Sequence, residues 1–178
     1  MIDRFVVVPA SYVFLLRDLR DGTGGLEVLL QLRQNTGYMD DHWAAAAAGH
    51  VEKGETAYDA AQREAAEEIA VTDVALEFVT SMQRTRSGEP IDERIDFFFT
   101  ARAWLGEPRI VEPEKCADLR WCALDDLPHP VVPHELRVLD ALRLGTTVPY
   151  TTFGFTATGG AAHGGGPGPQ ARPTDRAG

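Results

Sequence analysis

The chain has 178 residues, of which 44% are apolar and 25% are charged, and its formal net charge at pH 7 is −10. This length and composition are sufficient for one globular domain with a buried core. The acidic balance argues against a general binder of nucleic-acid polymers, because such proteins normally carry a basic face. An acidic protein still binds phosphate groups when cations lie between the two partners.

The N-terminal segment and the cysteines indicate the cellular compartment. Only Arg4 precedes a short apolar run that Pro9 and Ser11 interrupt, so neither a signal peptide nor a membrane span is predicted. Cys116 and Cys122 are too few and too close in sequence for a disulfide scaffold, and they lack the spacing of metal ligands. We therefore expect a cytoplasmic protein that does not interact with membranes, in which both cysteines are structural.

Apolar runs along the chain predict five strands. The runs at residues 5–16 and 26–33 flank one turn-rich segment, and those at 74–85 and 91–104 flank a second, so each pair is expected to form a β-hairpin. A further strand is predicted at residues 117–124.

The C-terminal part of the chain divides into a helix and a tail. Leu136, Leu139 and Leu142 follow Pro133 at helical spacing, and Gly145 is expected to end the helix. From residue 158 on, 7 of the 21 residues are Gly and 3 are Pro, a composition that buries too little apolar surface to offset the entropy of ordering. We expect one domain over residues 1–157 and a disordered tail over residues 158–178.

A second helix is predicted over residues 56–69, where Thr56 and Asp59 form a capping-box pattern. Its apolar face consists of Tyr58, Ala61, Ala65 and Ile69. Glu64, Glu67 and Glu68 project into an arc of roughly 100° beside that face. Like charges at this spacing destabilise a helix by roughly 0.2–0.5 kcal/mol per pair, and a divalent cation would remove the conflict. A solvated acidic face is the alternative that the spacing alone leaves open.

The segment GHVEKGETAYDAAQREAAEEIAV, residues 49–71, resembles the box of the Nudix hydrolase family. That box is a glycine, five residues, a glutamate, seven residues and then Arg-Glu-aliphatic-x-Glu-Glu-x-Gly-aliphatic. The matching positions are Gly49, Glu55, Arg63, Glu64, Glu67, Glu68 and Val71. Ala65 replaces a larger aliphatic residue, which implies shallower packing under the helix. Ala70 replaces the usual Gly, and a left-handed conformation there would cost roughly 1–2 kcal/mol.

The resemblance implies an α/β Nudix fold, a mixed β-sheet sandwiched between α-helices. In this family the residues before the box glycine form a strand that leads through a tight loop into the helix. The five alanines at residues 44–48 are therefore expected to be strand and loop, although alanine alone favours a helix. Their small side chains either allow close approach of a ligand or simply pack tightly against the helix. The carbonyl oxygen of Gly49 is a further metal-ligand candidate.

By the same resemblance the chain is a hydrolase that uses Mg²⁺ or Mn²⁺ to cleave a diphosphate linkage in a nucleoside triphosphate or another nucleoside diphosphate linked to a variable group. Glu64, Glu67 and Glu68 are expected to bind the metal and carry catalysis, with Glu64 the best candidate for general base. Glu55 is expected to pair with Arg63 and orient the helix. In the late loop, Glu114 is preferred over Glu112 as an additional metal ligand. The alternative is that Glu114 is an ordinary exposed acid.

Several residues outside the box are candidates for substrate binding. Arg33 and Arg84, each at a predicted strand end, are candidates for phosphate contacts, with exposed arginines as the alternative. Tyr38 and Trp43 are candidates for stacking on a base, with packing as the alternative. The weaker candidates are His129, His134 and Glu135.

The substrate is narrowed only by elimination. The residues that mark the ADP-ribose and diadenosine-polyphosphate branches are absent, since Arg86 and Gly88 stand at those positions. The chain therefore resembles most the MutT-like group, which acts on small nucleotides. A nucleotide-sugar or ADP-ribose pyrophosphatase and a non-catalytic nucleotide sensor are the alternatives. The sequence is compatible with either a homodimer or a monomer.

Overall fold

The computed structural model of the protein describes residues 5–19, 24–86 and 90–155. The predicted tail, residues 158–178, lies outside the described residues. The strands are β1 (Val8–Asp18), β2 (Leu26–Arg33), β3 (Trp43–Ala45), β4 (Ala47–His50), β5 (Leu76–Arg84), β6 (Arg94–Ala101), β7 (Cys116–Ala123) and β8 (Tyr150–Phe153). The helices are α1 (Ala57–Ile69) and α2 (Pro133–Leu144), and Pro90–Asp92 form a single 3-10 turn.

The strands form one mixed sheet in the order β3-β2-β1-β6-β5-β8, with β4 paired to β1 and β7 paired to β2. The predicted hairpins are both present as the antiparallel pairs β1–β2 and β5–β6. The long central strand β1 also pairs in parallel with β6 and, over its first half, antiparallel with β4. Strand β1 therefore joins the hairpins to the segment that precedes α1.

Two apolar clusters cover the two faces of this sheet, because successive side chains of a strand point to opposite faces. Val13 and Leu15 of β1 pack with residues of α1, whereas Phe14 packs with Leu139 of α2. The prediction of a mixed sheet between helices is confirmed. In the described residues, neither helix is long and apolar enough to span a membrane.

The alanine run forms strand rather than helix. Its residues Ala44–Ala48 lie within or between β3 and β4, and tertiary pairing overrides the local preference of alanine. Ala47 is fully buried, as are Ala61 and Ala65 of α1. Small side chains on both sides of the contact let α1 lie close to β4.

Helix α1 begins and ends as the sequence predicts. The hydroxyl of Thr56 accepts a hydrogen bond from the backbone N–H of Asp59, and the Asp59 carboxylate accepts one from the backbone N–H of Thr56. Ala70 follows the helix in a left-handed conformation, with φ 59° and ψ 34°. Several strand boundaries differ from prediction. The first strand begins at Val8 instead of residue 5 and the residue 91–104 strand is shorter, and β8 is a strand that was not predicted.

The left-handed Ala70 predicts a stabilising substitution. We expect Ala70→Gly to raise the free energy of unfolding by about 0.5–1 kcal/mol, because glycine adopts positive φ without the steric cost of a Cβ atom. Urea unfolding monitored by circular dichroism measures the change. The matched control Ala66→Gly, inside the same helix, is expected to lose about 1 kcal/mol. A destabilised Ala70→Gly variant would contradict the assignment.

Candidate active site

Glu64 lies directly against the backbone of Gly49, at the point where β4 ends and the chain turns towards α1. A Cβ atom added to Gly49 would lie 1.8 Å from Oε1 of Glu64. A side chain at position 49 and the observed position of the Glu64 carboxylate are therefore incompatible. Glycine is required here because of this close approach and not because of its backbone conformation, since the φ of Gly49 lies outside the left-handed region.

Glu68, one turn further along α1, is held by the strands beneath it. Its Oε2 accepts a hydrogen bond from the backbone N–H of Ala48 at 3.0 Å and one from Nε2 of Gln31 at 3.3 Å. Burial raises the pKa of the Glu68 carboxyl to about 7, and the nearby charges of Glu64 and Glu112 add to this effect. Burial likewise raises the pKa of Glu64. Both carboxylates are therefore costly to ionise unless a cation is near.

Arg63 neutralises the other side of the carboxylate cluster. Its guanidinium contacts Glu55 through two nitrogens, at 2.7 and 3.1 Å, which is the predicted ion pair. The same group contacts Glu64 at 2.6 Å and Glu67 at 3.2 Å. It also donates to the backbone carbonyl of His50 at 3.0 Å, which fixes α1 to the end of β4. One arginine thus orients three carboxylates.

The donor set of this cluster fits a hard divalent cation. Among the described residues no group of three or more His, Cys, Asp or Glu side chains forms a ready-made metal cage. Glu64 and Glu68 nevertheless converge on the backbone around Gly49 and carry pKa values raised by burial. Oxygen donors of this kind, completed by water and substrate phosphate, are what Mg²⁺ and Mn²⁺ prefer. Glu67, with 59% of its side chain exposed, stands at the rim.

The late loop approaches the same cluster through Glu112 rather than Glu114. The backbone N–H of Val111 donates to the carbonyl of Glu68 at 3.2 Å, and the charge of Glu112 raises the pKa of Glu68. Glu114 is exposed, and its backbone carbonyl accepts a hydrogen bond from Asn35. Glu112 is partly engaged by Lys115, whose Nζ lies 3.0 Å from both of its carboxylate oxygens.

A cavity of about 330 Å³ is lined in part by Gly49, the residue against which Glu64 lies. Of the substrate candidates predicted outside the box, Arg33, Tyr38, Arg84, His134 and Glu135 all line it. Neither Trp43 nor His129 is among its described lining residues. Trp43 is instead buried in the core, with the guanidinium of Arg120 4.8 Å from its ring centroid.

The base of the cavity is a buried ion-pair network that the sequence did not reveal. Asp96 of β6 is fully buried and accepts hydrogen bonds from Arg84 at 2.7 Å and from Arg94 at 3.4 Å. The alternative that Arg84 is an exposed arginine is wrong, since its side chain is 5% exposed. The available signal was an acid in the apolar run of β6, because a buried charge requires a partner. Burial and the positive charges of Arg84, Arg94 and Arg33 lower the pKa of the adjacent His134 well below its ordinary value, so this imidazole is neutral.

Tyr38 is the aromatic residue of the cavity wall. Its hydroxyl accepts a hydrogen bond from Arg84 at 3.2 Å, and the guanidinium groups of Arg33 and Arg86 lie 5.8 and 5.4 Å from its ring centroid. The tyrosine is therefore fixed by three cations: Arg84 holds the hydroxyl, and Arg33 and Arg86 lie at distances from the ring typical of cation–π contacts. Arg33 additionally donates to the Tyr38 carbonyl and to Thr36, so it shapes the loop that carries the tyrosine.

Glu135 predicts a pH dependence of stability. Its carboxylate is buried and accepts a hydrogen bond from the backbone N–H of Ala45 at 2.5 Å. The charges of Arg33, Asp96 and Arg84 also act on it. Burial raises its pKa from 4.5 to about 7. The folded state therefore holds a proton that the unfolded state releases, and stability falls as pH rises from about 4.5 to about 7.

In EDTA, we expect the ionisation of Glu135 to lower the free energy of unfolding of the wild-type protein by on the order of 3 kcal/mol at most over that pH interval. The Glu135→Gln variant cannot ionise and should show a flatter dependence. Urea unfolding at pH 5, 6, 7 and 8 measures both slopes. Parallel profiles for the two proteins would refute the assignment.

Comparison with known proteins identifies the class to which this fold and site belong. A model of the NUDIX domain matches residues 9–142. The chain belongs to the NUDIX family. No curated protein matches the sequence. The prediction of a Nudix pyrophosphohydrolase that cleaves a nucleoside diphosphate linked to a variable group is confirmed.

Solved structures of several family members are similar to this chain. A MutT NUDIX hydrolase from Burkholderia pseudomallei has 25% identity and a TM-score of 0.64, over 76% of this chain and 97% of that one. The MutT mutator protein of Bacillus halodurans has 24% identity and a TM-score of 0.61, over 83% of this chain and 90% of that one. The NUDIX domain of NrtR from Shewanella oneidensis, solved with ADP ribose, has 20% identity and a TM-score of 0.62, over 79% and 88%.

Proposed function

We propose that the hydrolysis is performed at the cluster of Glu64, Glu67 and Glu68 and depends on Mg²⁺ or Mn²⁺. The observation that carries the proposal is the approach of Glu64 to Gly49, where a Cβ atom would lie 1.8 Å from the carboxylate oxygen. Glycine at this point lets a carboxylate lie directly against the backbone at the end of a strand. The Glu64 and Glu68 carboxylates, together with a backbone carbonyl of this segment, would be a suitable set of ligands for a hard cation.

In this proposal each carboxylate has its own task. Glu64, Glu68 and the carbonyl of Gly49 would hold the metal, with Glu67 contributing from the edge of the cluster. When bound there, the metal would supply neutralisation of the negative charge on the diphosphate. A water oxygen attacks one phosphorus atom, the bond from that phosphorus to the bridging oxygen breaks, and Glu64 accepts the proton of the water. The bridging oxygen leaves with the other phosphate.

The remaining residues position these groups. Arg63 and Glu55 fix the orientation of α1, and the Ala48 N–H and Gln31 fix the Glu68 carboxylate. Glu114, the predicted further ligand, is exposed, and Glu112 is the acid of that loop whose charge acts on Glu68. Arg33, Tyr38 and Arg84 line the cavity that receives the rest of the substrate.

A small nucleotide of the MutT type is the substrate we propose, by resemblance and elimination. Cys116 and Cys122 are both free and buried, which fits a reducing compartment, and we propose a cytoplasmic location for the domain over residues 1–157.

The test is a panel of nucleoside triphosphates, nucleotide sugars and dinucleotides incubated with the purified full chain and Mg²⁺ or Mn²⁺. Chromatography of the products identifies which phosphorus–oxygen bond is cleaved. We expect turnover of at least one class and its loss in EDTA. Tight binding of a nucleotide without turnover on the whole panel would instead support the sensor alternative.

A further inference from the structure

The carboxylates and the cavity lie on opposite faces of β4. Ser11 pairs with Gly49 across the strands and donates its hydroxyl hydrogen to the carbonyl of Ala57, so both residues face α1. Ala48 and His50, the neighbours of Gly49 in β4, line the cavity on the other face. A diphosphate bound at the carboxylates therefore places its attached group around the end of β4, in the cavity.

Three guanidinium groups present unused donors to that cavity. Arg94 contacts Asp96 only through Nε, at 3.4 Å, and its two terminal nitrogens have no partner within the described residues. One terminal nitrogen each of Arg33 and Arg84 is likewise unpaired within that part of the chain. No described side-chain nitrogen that lacks a partner is buried, so these donors are accessible from the cavity.

The acidic groups nearby do not use up this donor capacity. Asp96 accepts from both Arg84 and Arg94, while Arg33 has no carboxylate partner among the described residues. The pKa of Glu135 is raised to about 7 by burial, so its charge is only partial at neutral pH. Asp92 is a further acid of the cavity wall. If the group bound in the cavity were neutral, these guanidinium donors would form hydrogen bonds only with water.

We propose that the cavity selects substrates whose diphosphate-linked group carries a second anion, a phosphate or a carboxylate, which Arg94 binds together with Arg33 and Arg84. The proposal rests on the hydrolase function above and names the class of substrate for that site. Arg94 is its best probe, because Arg84 is tied to Asp96 and Arg33 to the loop that carries Tyr38.

The experiment compares matched pairs of compounds that differ only in the second anion. Coenzyme A against dephospho-coenzyme A tests a phosphate, and UDP-glucuronate against UDP-glucose tests a carboxylate. With wild type we expect kcat/KM to be at least about tenfold higher for the anionic member of one pair, the effect of one charge-assisted contact. Arg94→Gln should reduce that ratio about tenfold, and Arg94→Lys should restore part of it.

Arg102→Gln is the matched control, since Arg102 lies beyond the opposite end of β6 and contacts Asp18. It should leave the ratio at the wild-type value. Melting curves establish that each variant is folded. Equal kcat/KM within both pairs would overturn the proposal. So would an equal loss on both members in Arg94→Gln, because Arg94 would then contact the shared diphosphate.

A binding arm separates this proposal from the proposed function. In EDTA, calorimetry compares adenosine 5′-monophosphate with adenosine 3′,5′-bisphosphate, and UMP serves as a second reference. Tighter binding of the bisphosphate that Arg94→Gln removes would support the anion site even if no compound is hydrolysed. If Arg94→Gln binds the bisphosphate as tightly as wild type does, the anion site is overturned, whether or not the enzyme is active.

Discussion

Replacing Glu68 with Gln is expected to lower turnover on the order of a hundredfold or more while leaving the metal-free fold at least as stable as wild type. The loss of activity follows because a metal supplies several kcal/mol of transition-state stabilisation, and Glu68 is one of its proposed ligands. The gain in stability follows because burial raises the pKa of Glu68 to about 7, so its charge opposes folding above that pH. Activity and stability should move in opposite directions.

A rate assay and two melts, in EDTA and in Mg²⁺, measure this prediction at pH 8. Mg²⁺ should raise the melting temperature of wild type more than that of Glu68→Gln, because only a ligand that prefers the native state raises stability. Glu67→Gln should also lose activity, but with little gain in stability, since Glu67 is exposed and paired with Arg63 at 3.2 Å. Glu77→Gln, an exposed glutamate of β5, is the control and should resemble wild type. Wild-type turnover in both α1 variants would mean that these carboxylates do not carry the catalysis.

Replacing Arg84 with Met is expected to cost about 3–5 kcal/mol of the free energy of unfolding. Asp96 is fully buried, and its shortest contact is the 2.7 Å hydrogen bond from Nε of Arg84. Removing one partner of a buried ion pair leaves a charge that the interior cannot solvate, and Arg94 at 3.4 Å compensates only in part. Urea unfolding at pH 7 measures the loss.

The double variant Arg84→Met with Asp96→Leu is the decisive comparison. Replacing both partners removes the uncompensated charge, so most of the lost stability should return. The single variant Arg102→Met, which breaks the exposed contact with Asp18, should unfold at the wild-type urea midpoint. A double variant less stable than Arg84→Met alone would show that Arg84 supports the fold by packing rather than by its charge.

Helix α1 shows why part of the candidate site was predictable. The spacing of Glu64, Glu67 and Glu68 on one arc is a property of the helix itself, and so is the capping box of Thr56 and Asp59. The box pattern also singles out Gly49, and the structure adds that Glu64 lies directly against its backbone. These relations depend on residues within about twenty positions of one another.

The cavity shows why the rest was not predictable. Arg84 meets Asp96 only because β5 pairs with β6 in the observed register, and a shift of one residue would turn the Arg84 side chain to the other face. Glu135 contacts the backbone of Ala45, 90 positions earlier in the chain. The sequence could name Arg84 and Glu135 only as substrate candidates, because no local pattern shows that either side chain is buried.

The sequence by itself therefore determined the family, the two helices, the hairpins and the row of carboxylates, because local periodicity and a fixed spacing encode them. Only the tertiary structure decided that the carboxylates and the arginine-lined cavity lie on opposite faces of β4. It also decided that Arg84 is buried and that Glu112, rather than Glu114, is the acid whose charge acts on Glu68. The physical reason is that burial and electrostatic environment depend on which distant segments pack together, and no local pattern records that choice.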